Sequence, residues 1–175
     1  MQKALLRLVL PVLILSLCAC GYHFSGGARP GDPVRTVFIP VLDNETAETG
    51  LETMITNGLI REFTREQKFT LAHSRAEANV LLAGSIESLL DENAARRSSG
   101  DSALRRVRMI LSLELLDEDG RVLWADDKIS EHETYQVVSG NLAATQANKN
   151  QALSVLTTRL AMKIRHRMEA YFEGF

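Results

Sequence analysis

The sequence predicts an α+β fold: a two-layer sandwich of about four main strands in a mixed sheet, with two amphipathic helices on one face. Three observations carry this expectation. Apolar residues alternate strictly over residues 107–115, they recur at three-or-four spacing in two longer segments, and the segments follow the order strand, helix, short strand, long strand, hairpin, helix.

Residues 1–19 have the parts of an export signal: basic Lys3 and Arg7, an apolar run over 8–17, and small residues before a cut. The run is about half of the ~20 residues that a membrane-crossing helix needs. Leu17-Cys18-Ala19-Cys20 looks like a bacterial lipobox. Cleavage between Ala19 and Cys20 is therefore expected, with a diacylglyceryl group on the Cys20 thiol and an N-acyl chain on its freed amine. Each buried methylene contributes about 0.8 kcal/mol, so two or three chains hold a protein on a membrane where one is marginal. Gly21 follows the cysteine instead of the aspartate of inner-membrane retention, which points to the outer membrane.

Residues 20–33 form the lipidated N-terminus and a Gly/Pro-rich linker, and residues 34–175 a single domain. With Cys18 discarded and Cys20 acylated, no thiol remains for a disulfide, so the core alone holds the fold. The chain carries 20 Lys+Arg against 22 Asp+Glu. Losing Lys3 and Arg7 leaves 18 cations against 22 acids, a balance with no overall attraction for nucleic acid.

Residues 34–41 read as a strand that Pro40 ends, and Asp43-Asn44-Glu45-Thr46 supplies turn and capping chemistry. Over 49–67, Leu51, Met54, Ile55, Leu59 and Phe63 form a helical stripe, interrupted by Gly58 at a cost of about 1 kcal/mol. Strands are expected over 69–72 and 80–90, and a loop over 91–101. The next strand puts Val107, Met109, Leu111, Leu113 and Leu115 on one face, and Arg106, Arg108, Ser112 and Glu114 on the other. Asp119-Gly120 marks a hairpin, whose second strand runs from Arg121 to about Tyr135. A final helix over 143–172 buries Leu153, Leu156, Leu160, Ile164 and Met168. Its cations Arg159, Lys163, Arg165 and Arg167 read as offsetting the helix dipole.

No catalytic constellation passes a spacing test, so the chain is expected not to be an enzyme and to need no cofactor or metal. It has no Gly-x-Ser-x-Gly elbow, phosphate loop or His-Glu-x-x-His. Only Glu131-His132-Glu133 gathers metal-type ligands, and strand alternation turns His132 away from both glutamates. Five guanidinium groups, on Arg96, Arg97, Arg105, Arg106 and Arg108, gather around one loop and the strand it feeds. They admit two readings: a solubilising polar sheet face, or a docking site for phosphorylated glycolipid or a partner's acidic groups.

The start Cys20-Gly21-Tyr22-His23-Phe24, the strand at 36–41 with Asp43-Asn44-Glu45-Thr46 behind it, residues 78–86, and Gly120-Arg121-Val122-Leu123-Trp124 together resemble the LptE family of lipopolysaccharide-assembly lipoproteins. The resemblance runs in order over nearly the whole mature chain. It implies a non-enzymatic partner and plug of an LptD-type outer-membrane β-barrel, aiding its folding and the delivery of lipopolysaccharide to the outer leaflet. It also implies basic residues in lipopolysaccharide contact, and Arg96 and Arg97 stand where such a contact belongs. The alternative is another envelope lipoprotein of similar fold, acting as a peptidoglycan-synthase activator or a secretion-channel subunit.

Overall fold

The computed structural model describes residues 35–65, 68–96 and 102–174, with Ala95, Arg96 and Ser102 described by backbone alone. The export signal, Cys20, the linker and Arg97 lie outside the described residues. The elements are β1 (Arg35–Phe38), β2 (Asp43–Asn44), α1 (Leu51–Arg65), β3 (Phe69–Leu71), β4 (Val80–Arg96), β5 (Ser102–Leu116), β6 (Val122–Val138) and α2 (Leu142–Glu173). The sheet runs β3-β1-β4-β5-β6, with β2 also beside β4. Pairings involving β1, β2 and β3 are parallel, while β4, β5 and β6 are antiparallel, so the sheet is mixed as expected.

The loop expected over residues 91–101 fails over 91–96, while 97–101 lie outside the described residues. Asp91 to Arg96 continue β4, and β5 begins at Ser102. The stretch is polar enough to read as a loop, yet its backbone pairs with β5 down to Arg96 opposite Ala103, with one register shift between Asn93 and Ala95. Long-range pairing overrides local composition here.

The alternation in β5 holds in full, with Val107, Met109, Leu111, Leu113 and Leu115 all buried under the helices. In α1, Leu51, Ile55, Leu59 and Phe63 meet the sheet. Gly58 faces α2, where a Cβ would lie 3.6 Å from the Thr157 carbonyl and 3.7 Å from the Ala161 Cβ. Both are ordinary contact distances, so the site has room for an alanine and helix packing does not by itself demand the glycine. The stripe Leu153, Leu156, Leu160, Ile164 and Met168 of α2 is buried as expected, and the Asn141 side chain caps the helix by accepting from the Ala144 amide at 2.9 Å.

The 43–46 stretch folds on itself. The Asn44 Oδ1 accepts from the Thr46 amide (3.0 Å) and hydroxyl (2.8 Å), while its Nδ2 donates to the Glu52 carboxylate at 2.7 Å. Hydrogen bonds from its own backbone amide and from Asn44 hold the Glu52 carboxyl below the usual carboxylate range. Lys149 of α2 reaches Glu48 at 2.5 Å and ties this turn to the second helix.

The cations of α2 do not serve the helix dipole. The helix runs on to Glu173 and has no basic residue in its last turn, so these side chains pair laterally instead. Arg159 meets Glu133 at 2.8 Å, Lys163 meets Glu131 at 2.7 Å, and Arg167 meets Asp126. Lys163 also donates to the Ser130 carbonyl (2.9 Å), Asn148 to the Gln136 carbonyl (2.8 Å), and Thr145 exchanges hydrogen bonds with the Val138 backbone. The outer border of β6 is therefore held by α2.

Hydrogen bonding from Lys163 keeps the Glu131 carboxyl below the usual glutamate range. A depressed carboxylate contributes stability at pH values above its unfolded pKa of ~4.3, and that contribution is lost as pH falls through the folded value. The pair is about a third exposed on the lysine side, so its worth is discounted to about 0.3–1 kcal/mol. In urea titrations from pH 7 to 3, Glu131→Gln is expected to lose this margin at neutral pH and match the parent at the acid end. A constant difference across the range would contradict the assignment.

Candidate functional site

The face of the sheet opposite the helices is built of cross-strand rows, fixed by register. At the end where β1 begins, Thr36, Asn79 and Glu118 are hydrogen bonded in sequence, Thr36 Oγ1 to Asn79 Oδ1 at 2.7 Å and Asn79 Nδ2 to Glu118 at 2.8 Å. The next row is apolar: Phe38 opposite Leu81, Leu81 opposite Leu116, and Leu116 opposite Val122. Val122 is 55% exposed and the other three are half-buried. Ala83, Glu114 and Ala125 follow, then Ser85 beside Ser112, then Ser88, Ile110 and Ser130. The far end holds Leu90, Arg108 and His132, and beyond them Glu92, Arg106 and Thr134.

This corrects the expectation of a uniformly polar outer face. The far half is polar and arginine-bearing, but the pleat turns Leu81 and Leu116 outward where, among the described residues, no helix covers them. Even-numbered Leu116 continues the register of Arg106 and Arg108, so the signal lay in the same alternation that marks the core.

The five arginines do not form one cluster. Arg106 and Arg108 are exposed on the open face, and among the described residues no carboxylate pairs with either. Arg105 points to the helix side, where its Nε donates to Asp91 Oδ1 at 2.8 Å and its Nη2 to the Asp91 carbonyl at 2.9 Å. The Tyr135 hydroxyl donates to the other Asp91 oxygen at 2.8 Å. Burial, reinforced by the Asp91 charge, pushes Tyr135 up to about 12. This knot braces the long β4–β5–β6 ribbon and gives Arg105 a structural task. Arg96 ends β4, while Arg97 lies outside the described residues.

His132 is exposed on the open face, and its neighbours Glu131 and Glu133 pair with α2 behind the sheet, as alternation requires. A shallow cavity bounded by Arg75, Glu77, Asn79 and Glu118 lies at the β1 end. Its polar groups already bond locally: Arg75 donates to the Ala78 and Asp117 carbonyls, and Glu77 accepts from the His73 amide. No helix among the described residues is long and apolar enough to cross a membrane.

The described residues thus form a two-layer α+β domain whose second sheet face is apolar at one end and basic at the other. A family model described as LptE, lipopolysaccharide-assembly, matches residues 34–168. The chain belongs to the LptE family, and this places it in lipopolysaccharide assembly. A comparison with curated proteins found no match.

Solved structures share the fold. The rare lipoprotein B from Shewanella oneidensis is 13% identical with a TM-score of 0.55, covering 80% of this chain and 98% of that one. A hypothetical protein from Chlamydia trachomatis is 12% identical with a TM-score of 0.54, covering 79% and 97%. An uncharacterized lipoprotein B from Nitrosomonas europaea is 13% identical with a TM-score of 0.53, covering 81% and 86%. At such identities the likeness concerns the fold alone.

Proposed function

We propose that this chain is a non-enzymatic lipoprotein of the outer membrane, anchored through acylated Cys20, that complexes with an LptD-type β-barrel as plug and folding partner during lipopolysaccharide transport. The family match over residues 34–168 is the observation that carries the reading. The open face supports it, because exposed Arg106 and Arg108 suit the phosphates of a glycolipid through bidentate hydrogen bonds. By the family resemblance, Arg96 and Arg97 are proposed as further contacts for the glycolipid. A domain tethered by lipid beside a barrel in the same membrane gains effective concentration without any further contact.

The test is depletion in a Gram-negative host together with detergent purification of the tagged chain. The expected outcome is recovery with the barrel in a stable complex, and loss of surface lipopolysaccharide with peptidoglycan unchanged. Recovery as a lone protein, with barrel assembly normal after depletion, would count decisively against the proposal. Altered peptidoglycan, or rings of the chain with itself, would favour the alternative classes of envelope lipoprotein. Replacing Cys20 by Ala is expected to release the chain from the membrane fraction while leaving its thermal unfolding unchanged, checked by fractionation and circular dichroism.

A further inference from the structure

We infer that the sheet bends at one crease across β4, β5 and β6, and that Lys163 and Arg167 of α2 clamp the bend at a single angle. This concerns the domain by itself, whatever partner its open face takes.

Register places the crease. β4 and β6 have 17 residues each where β5 has 15, and one extra residue of each falls at the same level. In β4 the extra residue is Glu87, between the pairs Ile86–Leu111 and Ser88–Ile110. In β6, Asp127 and Lys128 together oppose Ser112, between the pairs Leu111–Ile129 and Leu113–Asp126. A bulge bends its strand and raises the local twist. Two bulges facing each other across β5 put both bends on one line, and that line is the bending axis of the ribbon.

The packing on the two sides of the line suits a pivot. Towards the helices lie Ile86, Leu111 and Ile129, all fully buried, which form the fulcrum. On the open face the same levels carry Ser85, Ser88, Ile110, Ser112 and Ser130, so all but one of these side chains are too small to prop the two halves apart. Glu87, Asp127 and Lys128 are exposed, and their backbone angles can change without disturbing the core.

The clamp is one turn of α2. Asp126, at the near side of the β6 bulge, accepts from the Lys128 amide through Oδ1 at 3.1 Å and meets Arg167 through Oδ2. Beyond the bulge, Lys163 donates to the Ser130 carbonyl at 2.9 Å and to the Glu131 carboxylate at 2.7 Å. Four residues of helix separate the two cations, about 6 Å along the axis, so a rigid bar spans the bulge and grips β6 on either side of it. Both ion pairs are partly exposed. An anion that competes for either cation thus alters the angle between the β1 end of the open face and its arginine rows without touching that face.

The experiment uses the full-length lipidated chain in detergent, with nitroxide-bearing residues in place of Ala125 and Thr134, exposed positions of β6 on either side of the bulge. They are nine residues apart, about 30 Å at ~3.4 Å per residue, a separation that pulsed electron spin resonance measures. The parent is expected to give one narrow distance distribution. Lys163→Gln combined with Arg167→Gln is expected to widen it at least twofold, while a control pair at Thr64 and Ala125, both towards the β1 end, keeps its width. Should the double variant not fold, the parent chain in 1 M salt, which screens the two partly exposed pairs, is expected to show the same widening. A parent distribution that is already wide, an unchanged width after release of the clamp, or equal widening of both label pairs overturns the inference.

Discussion

Gly84→Ala is expected to abolish the fold. In β4 this glycine has φ +152°, and a Cβ added there would lie 2.0 Å from the Ser112 carbonyl oxygen and 2.8 Å from the Leu113 Cα. Both are backbone atoms of β5, so no side-chain rotation relieves the overlap. The two strands would have to part beside Leu113, which is completely buried. Losing this pairing is expected to cost more than ~4 kcal/mol, against a total of about 5–15 kcal/mol for a domain. The variant should accumulate as insoluble or protease-sensitive chain, and any soluble fraction should unfold at a much lower urea concentration. An unchanged urea midpoint would show that β4 and β5 are not so closely opposed. The requirement also gives the Ala83-Gly84-Ser85 part of the family signature a physical meaning: it lets two backbones touch.

Arg165→Ala is the second substitution with a large expected effect, about 3–5 kcal/mol. Arg165 and Glu62 are 8% and 6% exposed, joining α2 to α1 beneath the surface. The guanidinium lies 2.6 Å from the Glu169 carboxylate and 3.8 Å from that of Glu62, and it meets the His166 ring at 2.8 Å. Truncation leaves Glu169 in a poorly solvated site without its cation, and leaves Glu62 with only the largely exposed Arg65 at 3.2 Å. A lysine supplies one compact charge where a planar fork serves several partners, so Arg165→Lys is expected to recover only part of the loss. Combining Arg165→Met with Glu169→Gln should recover more, since the carboxylate nearest the guanidinium goes with the cation, while Glu62 keeps Arg65 at 3.2 Å. Urea unfolding of the three variants at low and high salt decides the matter. A loss that vanishes at 1 M salt would mean that the site is screened as a surface pair is, contrary to its burial.

The parts of this fold that local periodicity dictates were legible in the sequence. The alternation from Val107 to Leu115 and the stripe from Leu153 to Met168 each repeat one chemical choice several times, so a single exception cannot hide them. What escaped depends on partners distant in sequence. Asp91 to Arg96 are strand because β5 lies beside them. Arg159, Lys163 and Arg167 of α2 pair with Glu133, Glu131 and Asp126 on β6, and nothing within one turn of the helix announces this. Arg105 was grouped with Arg106 and Arg108 by nearness in sequence, although the pleat separates neighbours; Asp91 and Tyr135, its actual partners, come from the strands on either side. The apolar row shows the same limit, since Phe38, Leu81, Leu116 and Val122 come from four strands and meet only through register.

The hold of α2 on the outer carbonyls of β6 bears on the life of the chain before it meets any partner. An uncovered seventeen-residue strand would be a template on which further copies could stack through their main chains. With Lys163, Asn148 and Thr145 already occupying Ser130, Gln136 and Val138, recruitment of that kind is hindered over the second half of β6 by the same helix that seals the core. The helix that completes the core thus also leaves that half of the border strand with few main-chain groups to offer another copy.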